Sequence, residues 1–378
     1  CAVEDGRKLT GDFDADLWIF CELFRLDGTF RRREVRTPAG VRCAVLYLDG
    51  MVSGETVHEA VIRPLLTSGE PAGDPALWLC ETVLYAADVK PCDRVRDLLR
   101  AMLYGDSVLL VGGAGTALVI NTKGFRTRGI SEPENEAVQK GPREGFIEDI
   151  KTNMVLLRKR LKTSELKFEL QKAGRRSQTN IAVCYLDGIV DKKVAEEVID
   201  RIKEIDIDCI PDSSYVAAFI APRKHSIFRE IGTTEKPDIL AAKLAEGRVG
   251  ILVDGSPIAL TAPFILTEDF QSSEDYFVSP FMATIFRAIR FVAVIIALLL
   301  PAFYVTAQLF KMQLIPLGLM LNIASSVQGL PLSPSLEMFL VLLVLEVLKE
   351  ASVRMPKYVG MALSIVGALV LGEAAVSA

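Results

Sequence analysis

A duplicated soluble α/β region followed by an α-helical transmembrane domain is the fold class this sequence predicts, and three features predict it. Charged residues are frequent up to about residue 290, but beyond it only Lys311, Glu337, Glu346, Lys349, Glu350, Arg354, Lys357 and Glu373 carry charge. An uncharged run of 20 residues begins at Phe291. Upstream, segment 44–53 (AVLYLDGMVS) recurs as 182–191 (AVCYLDGIVD), identical at seven of ten positions. The first two features put the end of the chain in a different solvent from the rest. The third says that one strand-turn-helix unit is written twice.

At 378 residues the chain is longer than one typical domain. We divide it into a first α/β lobe at 1–130, a linker at 131–145, a second α/β lobe at 146–280 and a transmembrane helical domain at 281–378. In the first lobe, the apolar strand ending in YLDG leads into a helical pattern through Val57, Val61 and Leu65. In the second, the same strand leads into Val194, Val198, Ile202 and Ile205. The repeat continues, because 105–118 (GDSVLLVGGAGTAL) aligns with 247–260 (GRVGILVDGSPIAL). The glycines at 112, 113 and 115 have neither the spacing of a dinucleotide loop nor the lysine of a phosphate loop. Their counterpart, Asp254-Gly255, is a hairpin turn signal between two apolar strands, so a turn rather than nucleotide binding is the expected reason for them. Pro133 and Pro142 punctuate the polar linker.

Residues 151–176 hold nine basic residues against Glu165 and Glu169 and read as a helix with Met154, Leu157 and Leu161 on one face. Arg158, Lys159, Arg160, Arg175 and Arg176 are its candidate docking face, for anionic lipid head groups or an acidic partner subunit. Phe168 is the run's single aromatic and the net charge is −5, so nucleic acid is not expected. His58 and His225 stand alone, without metal-binding or nucleophile-activating spacing. We expect no enzyme activity, cofactor or metal. Seven cysteines, an odd number without CxxC spacing, fit reduced thiols facing a cytoplasm.

The uncharged run 291–310 is about 30 Å long as a helix, which matches a hydrocarbon core. Arg287 and Arg290 before it and Lys311 after it suit the head groups, and the arginines favour a cytoplasmic amino-terminal region. Pro301 in mid-run predicts a kink. Residues 312–336 contain Pro316, Pro331 and Pro334, so a re-entrant or interfacial helix and a loop are expected there. Glu346, Lys349, Glu350 and Arg354 follow at helical spacing along one stripe, pairable within the helix. Charges at membrane depth are costly unless paired or wetted, so the stripe marks a wetted path, a helix-to-helix brace or an ordinary juxtamembrane turn. Residues 358–372 form a further apolar helix with Gly360, Gly367 and Gly372, interrupted by Glu373. The chain opens on Cys1 rather than methionine and stops at Ala378 while still apolar, so we expect further residues at both ends.

Segments 141–148 (GPREGFIE), 153–158 (NMVLLR), 185–188 (YLDG), 246–249 (EGRV), 300–305 (LPAFYV), 346–356 and 367–372 (GALVLG) resemble the A subunits of bacterial spore germinant receptors. The resemblance covers nearly all of the chain beyond about residue 40. It implies a cytoplasmic two-lobed domain, a multi-pass membrane domain and assembly with a transporter-like B subunit and a lipoprotein C subunit in the spore inner membrane. It also implies a homo-oligomer around an ion-conducting path that opens when nutrient is sensed. On that reading Glu346, Lys349, Glu350, Arg354 and Glu373 line or gate the path, while Arg287, Arg290, Pro301 and Tyr304 couple it to the lobes. Lys349 and Ser352 depart from the arginine and glycine of the family pattern. A SpoVAF-type accessory or scaffold protein of the sporulation operon shares the architecture and is the alternative.

Overall fold

The structure, a computed structural model, describes residues 7–70, 73–124, 133, 136, 141–223, 226, 228–310, 316–327, 332–354, 365 and 369. The chain forms two compact units, Cys1–Val278 and Ser279–Ala378.

The first unit holds both lobes, and the repeat is visible in their topology. In the first lobe, β1 (Phe30–Arg36), β2 (Arg42–Leu48), β3 (Val89–Cys92), β4 (Ser107–Val111) and β5 (Ala117–Ile120) form an antiparallel sheet in the order β1-β2-β4-β5-β3. In the second, β6 (Leu166–Ala173), β7 (Thr179–Leu186), β8 (Gly232–Thr234), β9 (Val249–Val253) and β10 (Ala259–Ala262) take the same order, β6-β7-β9-β10-β8. Both YLDG copies sit where a second strand ends, and 254–257 is the turn between antiparallel β9 and β10, as expected from its Asp-Gly pair.

The inner strands β2, β4, β7, β9 and β10 are buried on both faces, which is why they read as apolar runs. In the first lobe, Ala44, Leu46 and Leu48 pack against α1 (Phe13–Leu23), while Cys43 and Val45 pack against the helical stretch 54–67 (α2). Residues 75–83 (α3) join α2, and α4 (Val95–Leu103) joins α1. The second lobe repeats this: α5 (Ile150–Arg160) and α8 (Pro237–Ala245) cover one face, α6 (Lys192–Lys203) and α7 (Ser213–Ile220) the other. Fully buried core residues such as Phe20, Leu98, Leu240 and Leu252 contribute about 1.5–3 kcal/mol each by leaving water. Helix starts are written locally: Asp12, Asp149, Asp191 and Asp212 each accept a backbone N–H at an N-cap.

The basic run 151–176 is not one helix. Helix α5 stops at Arg160, Leu166 N–H closes a turn on Thr163, and β6 follows. The reason lies in pairing: from Leu166 to Ala173 each residue is matched to β7, and Leu166 and Phe168 enter the core at strand spacing.

In the second unit, α9 (Pro280–Phe310) is 31 residues long, carries Pro301 inside it, and is the helix long and apolar enough to cross a membrane among the described residues. Helix α10 (Leu317–Val327), at 11 residues, falls short of the roughly 20 a span requires. Helix α11 (Pro334–Arg354) begins at a proline that suits a first helical turn. The expected helix at 358–372 lies outside the described residues, apart from helical Ile365 and Leu369.

Candidate functional site

The charged stripe lies on α11. Glu346 Oε2 and Lys349 Nζ pair at 3.1 Å one helical turn apart, and Glu350 is exposed on the next residue. The backbone of Arg354 ends the helix, and Glu373 lies outside the described residues. Among apolar neighbours such as Phe339, Leu343 and Val347, this puts two acids and a base within five residues of a largely apolar helix.

The residues expected to couple the membrane to the lobes lie on α9. Arg287 and Arg290 stand one turn apart ahead of the uncharged run, and Pro301 sits ten residues into it. Pro301 has no N–H to give Ala297, so a helical bond is missing there. Just beyond, Thr306 Oγ1 donates to Ala302 O at 2.8 Å, a back-bond that favours bending, and Gln308 Nε2 donates to Tyr304 Oη at 2.8 Å.

Two polar clusters in the first unit escaped the sequence reading. One holds the segment that leads out of the second lobe. The Glu268 carboxylate takes Lys243 Nζ at 3.0 Å, Ile265 N–H at 2.9 Å and the Arg248 guanidinium, while Arg248 also donates to Pro263 O at 2.9 Å. Burial pushes the Glu268 carboxyl up, but the Ile265 N–H and the two cations outweigh it and hold it below the usual carboxylate range. Lys243 belongs to α8 and Arg248 leads into β9, so this cluster pins residues 263–268 to the lobe. A cavity of about 510 Å³ opens beside it, walled by Asp238, Lys243, Phe264 and Tyr276.

The other cluster joins the lobes. Arg158 Nη2 reaches Asp27 Oδ2 at 2.5 Å and Thr29 Oγ1 at 3.2 Å, its Nη1 donates to Leu166 O at 3.2 Å, and its guanidinium lies 5.0 Å from the centre of the Phe168 ring. Both side chains of the pair are essentially inaccessible, at 2% and 0% exposure. Beside them Gly28 N–H donates to Phe168 O at 2.8 Å and Lys167 donates to Leu23 O.

The candidate docking face is corrected by these contacts. Arg158 is buried in the lobe junction rather than open to lipid. Arg160, on α5 with Lys159, pairs with Glu144 at 2.9 Å, whereas Arg175 and Arg176, beyond β6, pair with Asp206 at 2.5 Å and Asp208 at 3.8 Å. Helical spacing cannot align residues that a strand separates. Asp27 has no local signal, because its partner is 131 residues away.

The sequence profile described as Bacillus/Clostridium GerA spore germination protein matches residues 20–378. Spore germination protein KA of Bacillus subtilis (strain 168) is 38% identical over 353 residues, which is 93% of this chain and 65% of that protein. Spore germination protein GerLA of Bacillus cereus is 35% identical over 89% of this chain and 69% of its own length. The chain thus spans about two thirds of the length of the relatives it matches. Among solved structures, the N-terminal domain of the A subunit of the Bacillus megaterium spore germinant receptor GerK3 superposes with a TM-score of 0.55 at 28% identity, covering 69% of this chain and 98% of that domain.

Proposed function

Because the chain belongs to the Bacillus/Clostridium GerA spore germination protein family, we propose that it acts as an A-type subunit of a nutrient germinant receptor and forms or gates an ion-conducting path. The observation that carries this reading is the patch Glu346, Lys349 and Glu350 on apolar helix α11. Such charges are costly in hydrocarbon unless paired or wetted. One helix cannot enclose water, so the path is built by several copies of the subunit. The partners are a transporter-like B subunit and a lipoprotein C subunit, with the lobes on the cytoplasmic side of a multi-pass protein in the spore inner membrane. No catalytic step enters this reading.

Movement of the second lobe passes along 263–278 into α9, held at the lobe end by Glu268 and softened in the membrane by Pro301. Arg354 and Glu373 belong to the same path in this account. The full-length subunit reconstituted in liposomes tests it: cation flux sensitive to Glu350→Gln supports the path, and tight liposomes contradict it. A second reading, an accessory scaffold of the SpoVAF type, draws on the 3.1 Å Glu346–Lys349 pair, which already satisfies both charges within one helix. In that case the stripe braces neighbouring helices and no flux develops.

A further inference from the structure

The first strands of the two related sheets are both edge strands, but they are covered differently. Thr37 N–H donates to Val41 O at 3.0 Å, so Thr37 and Val41 are a hydrogen-bonded pair. By alternation Arg36, Glu34 and Arg32 occupy non-bonded positions, with N–H and C=O directed away from β2. Phe30 faces Leu48 just as Leu166 faces Leu186, which makes Phe168 the counterpart of Arg32. Phe168 O accepts from Gly28 N–H of the other lobe, and next to it the Asp27 carboxylate takes Arg158. The second lobe's edge is therefore closed by a backbone donor on the strand and a carboxylate on an arginine.

The β1 edge offers the same chemistry without such a cover among the described residues. Arg31, Arg32, Arg33 and Arg36 are all exposed, and Glu34 is the one acid in the strand. Arg31 lies 3.6 Å from Asp49, Arg32 touches Cys21 Sγ at 3.4 Å, and Arg33 and Arg36 pair with no described residue. Charged residues on an edge guard against aggregation, but mixed signs do that equally well. Four arginines against one acid select for the sign of what binds. A second β1 is a poorer occupant than an acidic strand, since each copy brings four arginines and one acid.

We infer that the β1 edge of the first lobe takes up an extended acidic segment of a partner protein as an added strand, with the carboxylates on Arg32, Arg33 and Arg36. Backbone hydrogen bonds along the edge supply affinity and the arginines supply selectivity. An anionic bilayer would use the arginines but not the backbone edge.

The test uses the full chain in zwitterionic nanodiscs and a fluorescein-labelled peptide of alternating Glu and Val, followed by fluorescence anisotropy. Saturable binding is expected, weakened about tenfold or more in the Arg32→Ala/Arg36→Ala variant. Glu34→Pro, which removes an outward N–H and no bond to β2, weakens binding, whereas Glu34→Ala binds at least as tightly as the parent. Equal affinity in the two Glu34 variants would overturn strand addition. Absence of peptide binding would also overturn it, and phosphatidylglycerol vesicles bound through Arg32 and Arg36 would then assign the edge to a lipid surface.

Discussion

The two lobes share strand order and helix placement, yet only the second carries both polar clusters. Arg158 on α5 corresponds to Cys21 on α1, which touches Arg32 and packs against the first lobe's own core instead of reaching the other lobe. By the offset of the repeat, Lys243 and Arg248, which hold Glu268, correspond to Ala101 and Asp106 in the first lobe. Duplication therefore preserved the apolar framework, whereas substitution of a few polar positions gave the second lobe the junction and the exit segment.

The largest expected effect breaks this asymmetry at the junction. Arg158→Met leaves the buried Asp27 carboxylate with the Thr29 donors but without its guanidinium, and should cost about 3–5 kcal/mol in urea unfolding of the two-lobed unit. Cys21→Ala at the related position should cost less than about 1 kcal/mol. In the Asp27→Asn/Arg158→Met double variant much of the loss should return, because neither charge is stranded. Equal losses in Arg158→Met and Cys21→Ala would remove the distinction between the lobes.

Next in size is Gly28→Ala. A Cβ there would stand 2.9 Å from Leu170 and 3.0 Å from Phe168 O, so about 1–3 kcal/mol should be lost. Gly115→Ala, in the first lobe's hairpin, meets nothing within 4 Å and should stay within about 0.5 kcal/mol. Thermal midpoints of the two variants sharpen the comparison.

Glu268→Gln should cost about 1 kcal/mol at neutral pH, the low end for a charge-assisted cluster whose cations are partly wet. The Glu268 carboxyl titrates lower in the folded state than in the unfolded chain, near the ordinary value of about 4.3. Its contribution is therefore complete above that value and is lost as pH falls below it. Stability profiles of parent and variant should converge on the acid side, and parallel curves down to low pH would contradict the strut. The smallest effect is expected of Glu346→Gln, which removes one i,i+3 pair of α11, a contact worth about 0.2–0.5 kcal/mol in an isolated helix.

Much of the framework was legible because it repeats. The recurring YLDG strands, the helical patterns after them and the Asp-Gly hairpin all rest on local periodicity, and each took its expected place. Residues 161–176 were misread because positive charge masked a strand whose pairing with β7 is set by tertiary contacts. Asp27 and Glu268 could not be found from spacing, since each is defined by cations from other elements of the fold. On α11 both the stripe and the Glu346–Lys349 pair were readable, because helical spacing sets those two residues one turn apart.

The most direct test of the central claim is cation release from spores carrying Glu350→Gln in this subunit, measured after nutrient addition alongside nutrient binding. The account predicts altered release kinetics with nutrient binding retained. Release kinetics identical to the parent's would contradict a role for the α11 stripe in the ion path.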